Sequence, residues 1–113
     1  MSEPYTGGCA CGANRYAISG EPLASNHCQC RNCQHMSGTA HGSYLTFLRE
    51  GVKLEGKAAH WDMVADNGTV KTRGFCPICG SPVTLTFAAR PELFTVHAAS
   101  LDDPGRFKPQ MVT

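Results

Sequence analysis

Seven cysteines fall in three tight groups along a chain of 113 residues: Cys9-Ala10-Cys11, Cys28-Gln29-Cys30-Arg31-Asn32-Cys33 and Cys76-Pro77-Ile78-Cys79. All of them can be read as zinc ligands, because thiolate sulfur suits that ion and gaps of one or two residues let neighbouring sulfurs aim at one point. A pair, a triplet and a pair do not divide into equal tetrahedra. They divide into one closed four-sulfur site and one three-sulfur site with a position left over. A closed site holds a fold together, whereas an open position can bind and activate a ligand.

The closed site is expected from Cys9, Cys11, Cys76 and Cys79. Phe75-Cys76-Pro77-Ile78-Cys79-Gly80 has the form of a zinc knuckle. Pro77 presets φ for its turn, and Gly80 lets the backbone curl beneath the second sulfur. Cys9-Ala10-Cys11-Gly12 is a weaker signal alone, but Gly7, Gly8 and Gly12 give its loop similar freedom. The blander alternative is two unrelated buried cysteine pairs, which leaves the glycine flanks a coincidence. Four sulfurs suit zinc best, with iron as the competing metal. Cys28, Cys30 and Cys33 leave three readings open: a zinc with a free position, a structural site completed by His27, His35 or His41, or an empty, redox-labile thiol cluster.

The elements that position these groups are short. No helix-length amphipathic pattern occurs, and β-type runs recur between turn signals, so an all-β domain spanning residues 1–113 is expected. The expected strands are Arg15–Ser19, Gly42–Phe47, Val52–Leu54, Ala58–Met63, Val70–Gly74, Pro82–Phe87 and Phe94–Ala99. Asp66-Asn67-Gly68-Thr69 predicts a type I′ hairpin turn, and Glu55-Gly56-Lys57 predicts another hairpin. Short helical turns are expected at Asn32–Gly38, ended by Gly38, and at Leu101–Asp103. A metal held by the first and last cysteine groups would clip the N-terminal segment to the second half of the sheet.

Bulk properties narrow the partners. A formal net charge of +1, with charged residues at 17%, gives no electrostatic case for nucleic acid or an anionic membrane. The N-terminus lacks a signal-peptide pattern and no stretch approaches the ~20 apolar residues of a membrane span. A cytoplasmic protein with reduced thiols is expected, and the odd cysteine count argues against a disulfide framework. Asn67-Gly68-Thr69 matches a glycosylation acceptor, which is irrelevant in that compartment. No phosphate loop, dinucleotide fingerprint or serine-nucleophile elbow is present.

The sequence resembles the glutathione-dependent formaldehyde-activating enzyme family, which includes the domain of centromere protein V. The resemblance lies in Gly7-Gly8-Cys9-Ala10-Cys11-Gly12-Ala13-Asn14-Arg15-Tyr16, in Cys28-Gln29-Cys30-Arg31-Asn32-Cys33 followed by Gly38, in Phe75-Cys76-Pro77-Ile78-Cys79-Gly80-Ser81-Pro82, and in Ser100-Leu101-Asp102-Asp103-Pro104. It implies a β-tent fold with two zinc ions. Cys9, Cys11, Cys76 and Cys79 would hold the structural ion, and Cys28, Cys30 and Cys33 the ion associated with activity. The family often has Cys-His-Cys where this chain has Cys28-Gln29-Cys30, so a role for that histidine does not carry over. Relatives usually continue past Pro109-Gln110-Met111-Val112-Thr113 into a further strand and tail, so a shortened or missing C-terminal segment is expected.

The activity for which the family is named joins glutathione and formaldehyde into S-hydroxymethylglutathione, a carbon–sulfur lyase reaction in reverse. It demands a thiolate at neutral pH, whereas a free thiol with a pKa of about 8.5 is mostly protonated there. An open zinc position held by Cys28, Cys30 and Cys33 would meet that demand, with a small-molecule thiol such as glutathione and an aldehyde as partners. His27, His35 and His41 are candidate proton donors, and Arg31 a candidate for a substrate carboxylate. His60 and His97 read as structural, and Tyr44, Phe47 and Trp61 as core or pocket wall. The competing functions are a non-enzymatic zinc-stabilised binding module and a thiol redox sensor built on Cys28, Cys30 and Cys33.

Overall fold

Alternation of side chains across extended backbone gives β4 (Gly42–Leu48) two different faces, and the rest of the architecture follows from what covers each. Leu45 and Phe47 point one way and Tyr44 the other, and all three are buried. A sheet apolar on both faces needs a layer on each side. The computed structural model describes residues 3–65 and 67–112 and supplies both layers.

The larger sheet has seven strands in the order β10-β3-β4-β9-β8-β7-β6. Besides β4 these are β3 (Ala24–Cys28), β6 (Ala59–Val64), β7 (Val70–Phe75), β8 (Pro82–Phe87), β9 (Leu93–His97) and β10 (Met111–Val112). Neighbours are antiparallel except β10, which runs parallel to β3. A three-stranded antiparallel sheet of β1 (Tyr5–Gly8), β2 (Arg15–Ile18) and β5 (Val52–Glu55) covers one face. Tyr5, Tyr16 and Ile18 from it meet Leu45, Phe47, Phe94 and Val96 in the main core. Each such aliphatic or Phe side chain, fully buried, contributes about 1.5–3 kcal/mol. On the other face helix α1 (Arg31–Ser37) buries Cys33 against Tyr44 and Leu85.

The all-β expectation holds. The seven expected strands appear within one or two residues of their predicted ends, and β9 stops at His97, where a 3₁₀ turn over Ala98–Ser100 begins. Three strands were not expected. β1 carries Gly7 and Gly8 and reads as loop, yet a Cβ on Gly7 would sit 2.3 Å from the Ser100 carbonyl oxygen, so the glycines allow close approach. β3, Ala-Ser-Asn-His-Cys, is polar, and pairing on both sides overrides its weak propensity. β10 is two residues long and gives no periodic signal.

Three turn expectations are corrected. Gly56 (φ +91°) does not close a hairpin: β5 pairs with β2, β6 pairs with β7, and the glycine carries the chain from one sheet to the other. The turn before β7 is not a type I′ turn centred on Asn67-Gly68, because its closing hydrogen bond ends on Gly68, which is left-handed (φ +85°). The Gly68 amide donates to the Ala65 carbonyl, and Asp66 itself lies outside the described residues. The helical turn expected at Leu101–Asp103 is displaced to Ala98–Ser100 and Pro104–Arg106, while Leu101 bridges Gly7 of β1. The expected turn at Asn32–Gly38 is a seven-residue helix, ended as predicted by Gly38 in the left-handed region (φ 74°).

Candidate metal centres

Two chain reversals build the four-cysteine cluster. After β1 the chain turns so that the Cys9 amide donates to the Asn14 carbonyl and the Gly12 amide to the Cys9 carbonyl. After β7 the Cys76 amide donates to the Ser81 carbonyl and the Gly80 amide to the Cys76 carbonyl, with Gly80 at φ +78°. The sulfurs of Cys9, Cys11, Cys76 and Cys79 all lie within 4.8 Å of one another. The Cys9–Cys11 and Cys11–Cys76 sulfur pairs are each separated by 3.7 Å. A tetrahedron with Zn–S bonds of about 2.3 Å has edges of about 3.8 Å, so the cluster fits the ion.

Backbone amides are aimed at the same sulfurs. The Asn14 amide donates to Cys9 Sγ at 3.3 Å and the Ile78 amide to Cys76 Sγ at 3.4 Å. Hydrogen bonds from the Ser81 hydroxyl and amide pull the Cys79 thiol down to about 5. The Ala13 amide favours a Cys11 thiolate, but desolvation and the three neighbouring sulfurs outweigh it and push that thiol up to about 11. One sulfur ionises easily and makes the next harder to ionise; a divalent cation among them removes that conflict. The set could bind zinc, and it joins the β1–β2 loop of the small sheet to the β7–β8 turn of the large one.

The second cluster is made by β3 running into α1. Cys28 ends the strand, Cys30 caps the helix by accepting the Cys33 amide at 3.3 Å, and Cys33 is buried one turn further on. Their sulfurs also lie within 4.8 Å of one another, and among the described residues no histidine or carboxylate joins them. Three sulfurs on one side of a point leave one tetrahedral direction open, so this set too could bind zinc, with a position to spare. Desolvation pushes the Cys33 thiol up to about 11.

Around Cys33 is a polar network that the sequence did not reveal. Arg73 of β7 is 1% exposed. Its guanidinium donates to the Tyr44 hydroxyl at 3.1 Å, to Asn32 Oδ1, and to Cys33 Sγ at 3.8 Å. Desolvation holds the Tyr44 hydroxyl protonated, far above its ordinary range. His97 packs against Tyr44 with ring centroids 5.0 Å apart. Burial, aided by the Arg73 charge, lowers its pKa to about 4 and keeps it neutral. A cavity of about 220 Å³ opens beside Cys28 and Cys33, floored by Tyr44, Leu85 and Phe87 and bordered by Lys71. A larger cleft of about 650 Å³ borders the four-cysteine cluster, lined among others by Arg15, His41, Ser81 and Asp102. Four sulfurs would complete a tetrahedral site, whereas the smaller cavity is lined by two cysteines of the three-sulfur set.

The candidate proton donors lie elsewhere. His27 is adjacent to Cys28 in an alternating strand, bonds Ser43 Oγ at 2.9 Å, and meets His41 and Phe107 edge to face. His35 and Arg31 sit together on the exposed side of α1, with Arg31 bonded to Gln34. None of these four lines the cavity that Cys28 and Cys33 share. Tyr44, read from sequence as core or pocket wall, is both. His97 is buried in the core as expected, whereas Trp61 is half exposed on the edge strand β6. Nothing in the local pattern around Arg73 marks it as buried; its role comes from β7 lying across the sheet from α1.

Comparison with known proteins bears on the whole chain. Among curated proteins none matches the sequence significantly. A crystal structure of a Rhodobacter sphaeroides protein superposes with a TM-score of 0.71 at 20% identity, covering 96% of this chain and 99% of that one, which shows a shared fold. The family profile described as glutathione-dependent formaldehyde-activating enzyme matches residues 4–113. The chain therefore belongs to the glutathione-dependent formaldehyde-activating enzyme family.

Proposed function

We propose that this protein is a zinc-dependent carbon–sulfur lyase of the S-(hydroxymethyl)glutathione synthase type, acting on a thiol–aldehyde adduct. The observation that carries the reading is a three-sulfur cluster, with no fourth ligand among the described residues, opening on a cavity. Zinc held there would supply one coordination position at which a substrate thiol loses its proton near neutral pH.

The chain's own residues do the rest. Cys28, Cys30 and Cys33 would hold the zinc, and Cys28 and Cys33 line the cavity. Leu85 and Phe87 exclude water from the aldehyde side. Lys71 offers a cation to a carboxylate of a peptide thiol. In the synthetic direction the substrate sulfur adds to the aldehyde carbon, a C–S bond forms, and the carbonyl π pair moves onto oxygen. That oxygen then needs a proton. Tyr44 accepts from Arg73 and directs its O–H at the Cys33 sulfur, and from there the hydroxyl can turn to the new alkoxide, a strong enough base to take its proton. In the reverse direction the tyrosine takes the proton back as the C–S bond breaks. Holding both reactants in one small cavity contributes further by proximity.

The test uses zinc-loaded protein with glutathione and formaldehyde, following adduct formation and breakdown. Cys33→Ser is expected to abolish the acceleration. A Cys33→Ser variant as fast as the parent would falsify the reading.

A further inference from the structure

A guanidinium keeps its charge at any pH at which a protein survives, and burying it without an anion is costly. Arg73 is 1% exposed, and the two ion pairs among the described residues, Arg15–Asp102 and Arg90–Glu92, do not include it. Its neighbours cannot supply the missing anion: the Asn32 amide carries no charge, a tyrosine hydroxyl ordinarily ionises only at about pH 10, and the imidazole of His97 is neutral or cationic. The remaining contact is the sulfur of Cys33, at 3.8 Å. Three thiolates around one divalent zinc carry a net charge of −1. The buried cation and that anion match one to one.

We propose that Arg73 is the buried countercation of the Cys28–Cys30–Cys33 centre, a positioning residue that makes a net-anionic three-sulfur site stable without a fourth protein ligand. Charge is the main effect. The fork geometry adds to it by tying α1, through Asn32 and Cys33, to β4 through Tyr44. The hydrogen bonds of Arg73 go to Tyr44, Asn32 and Cys33 and not to the four-cysteine cluster, which is therefore expected to be independent of it. The inference rests on reading Cys28, Cys30 and Cys33 as a metal site, but not on lyase turnover.

The experiment is a metal titration of the full chain under reducing conditions, with cobalt followed by its thiolate charge-transfer absorption and zinc by competition with a chromophoric chelator. Cys33→Ser identifies which binding step belongs to the three-cysteine centre. Arg73→Met is expected to weaken that step about 10–100-fold, the usual effect of losing a ligand's hydrogen-bond partner, and to leave the other step unchanged. Arg73→Lys keeps the charge and is expected to lie nearer the parent than Arg73→Met. Equal affinity of the methionine variant and the parent at the three-cysteine centre overturns the proposal. So does a lysine variant as weak as the methionine one, or weakening of both steps alike. If Arg73→Met fails to fold with one zinc per chain where Cys33→Ser folds, the arginine is a structural pillar and the proposal also fails. Absent lyase activity leaves these outcomes untouched, whereas a parent that takes up only one ion sinks the site and the inference together.

Discussion

At the scale of single residues, the proposed chemistry turns on how Tyr44 is held. Its oxygen accepts from Arg73, its ring lies against neutral His97, and burial keeps its proton in place. The arrangement places one neutral hydroxyl, hydrogen-bonded to Cys33, at the edge of the cavity, whereas the histidines that looked suitable in the sequence face other surroundings. Tyr44→Phe removes the proton and little else from the cavity. The expected result is a turnover loss on the order of 10²-fold, the lower end for a general acid, with KM for the thiol nearly unchanged. The variant also leaves one Arg73 N–H unpartnered, which costs about 1–3 kcal/mol. Its metal content must therefore be measured alongside, and two ions per chain with unchanged turnover would remove Tyr44 from the mechanism.

At the scale of elements, helix α1 and its N-cap residue carry two of the three sulfurs of the second cluster, and both ends of the helix are fixed by specific chemistry. Cys30 serves as N-cap through its sulfur, and Gly38 ends the helix with a left-handed turn whose amide donates to the Gln34 carbonyl. A Cβ at Gly38 meets nothing within 4 Å, so an alanine there is strained only by its φ of 74°. Gly38→Ala should cost about 1–2 kcal/mol and loosen the helix that presents Cys30 and Cys33. The expected readout is faster zinc loss from the three-cysteine centre, measured by chelator competition, with the four-cysteine centre unchanged. Loss from both centres at the same rate would show that α1 is not the element that holds the second ion. The element scale is also where the sequence was read best and worst. The knuckle, the Gly38 stop and the longer strands carry local signals: fixed cysteine gaps, a terminal glycine, alternating side chains. β1, β3 and β10 carry none, because glycine, asparagine and serine take up strand geometry there only through their neighbours. Arg73 was illegible for a related reason: its burial depends on a helix more than thirty residues away in sequence.

At the scale of the whole molecule, the two sheets share no strand, and their association depends on the core between them and on ties at two ends. At one end, segment 98–107 grips the small sheet. Asp102 binds Arg15 and Thr6, Leu101 bridges Gly7, and Arg106 lies 3.6 Å over the Tyr5 ring while donating to the carbonyls of Glu3 and Pro4. At the other end, the tie is the four-cysteine cluster, whose Cys9 and Cys76 belong to the main core. A metal there closes a loop spanning most of the chain, so its loss frees much entropy in the unfolded state. The three-cysteine cluster closes a loop of only a few residues and lies on the far face of the sheet. The two sites should therefore differ in kind as well as in ligand count. Cys76→Ser is expected to lower Tm by at least about 10 °C, on a scale of roughly 4 °C per kcal/mol for a chain of this size. Cys33→Ser is expected to lower it by less than half as much while abolishing turnover. Differential scanning calorimetry of both variants at matched zinc and reductant decides the point. If Cys33→Ser is the more destabilising, the three-cysteine centre is the staple, and the division between a structural and a reactive ion fails.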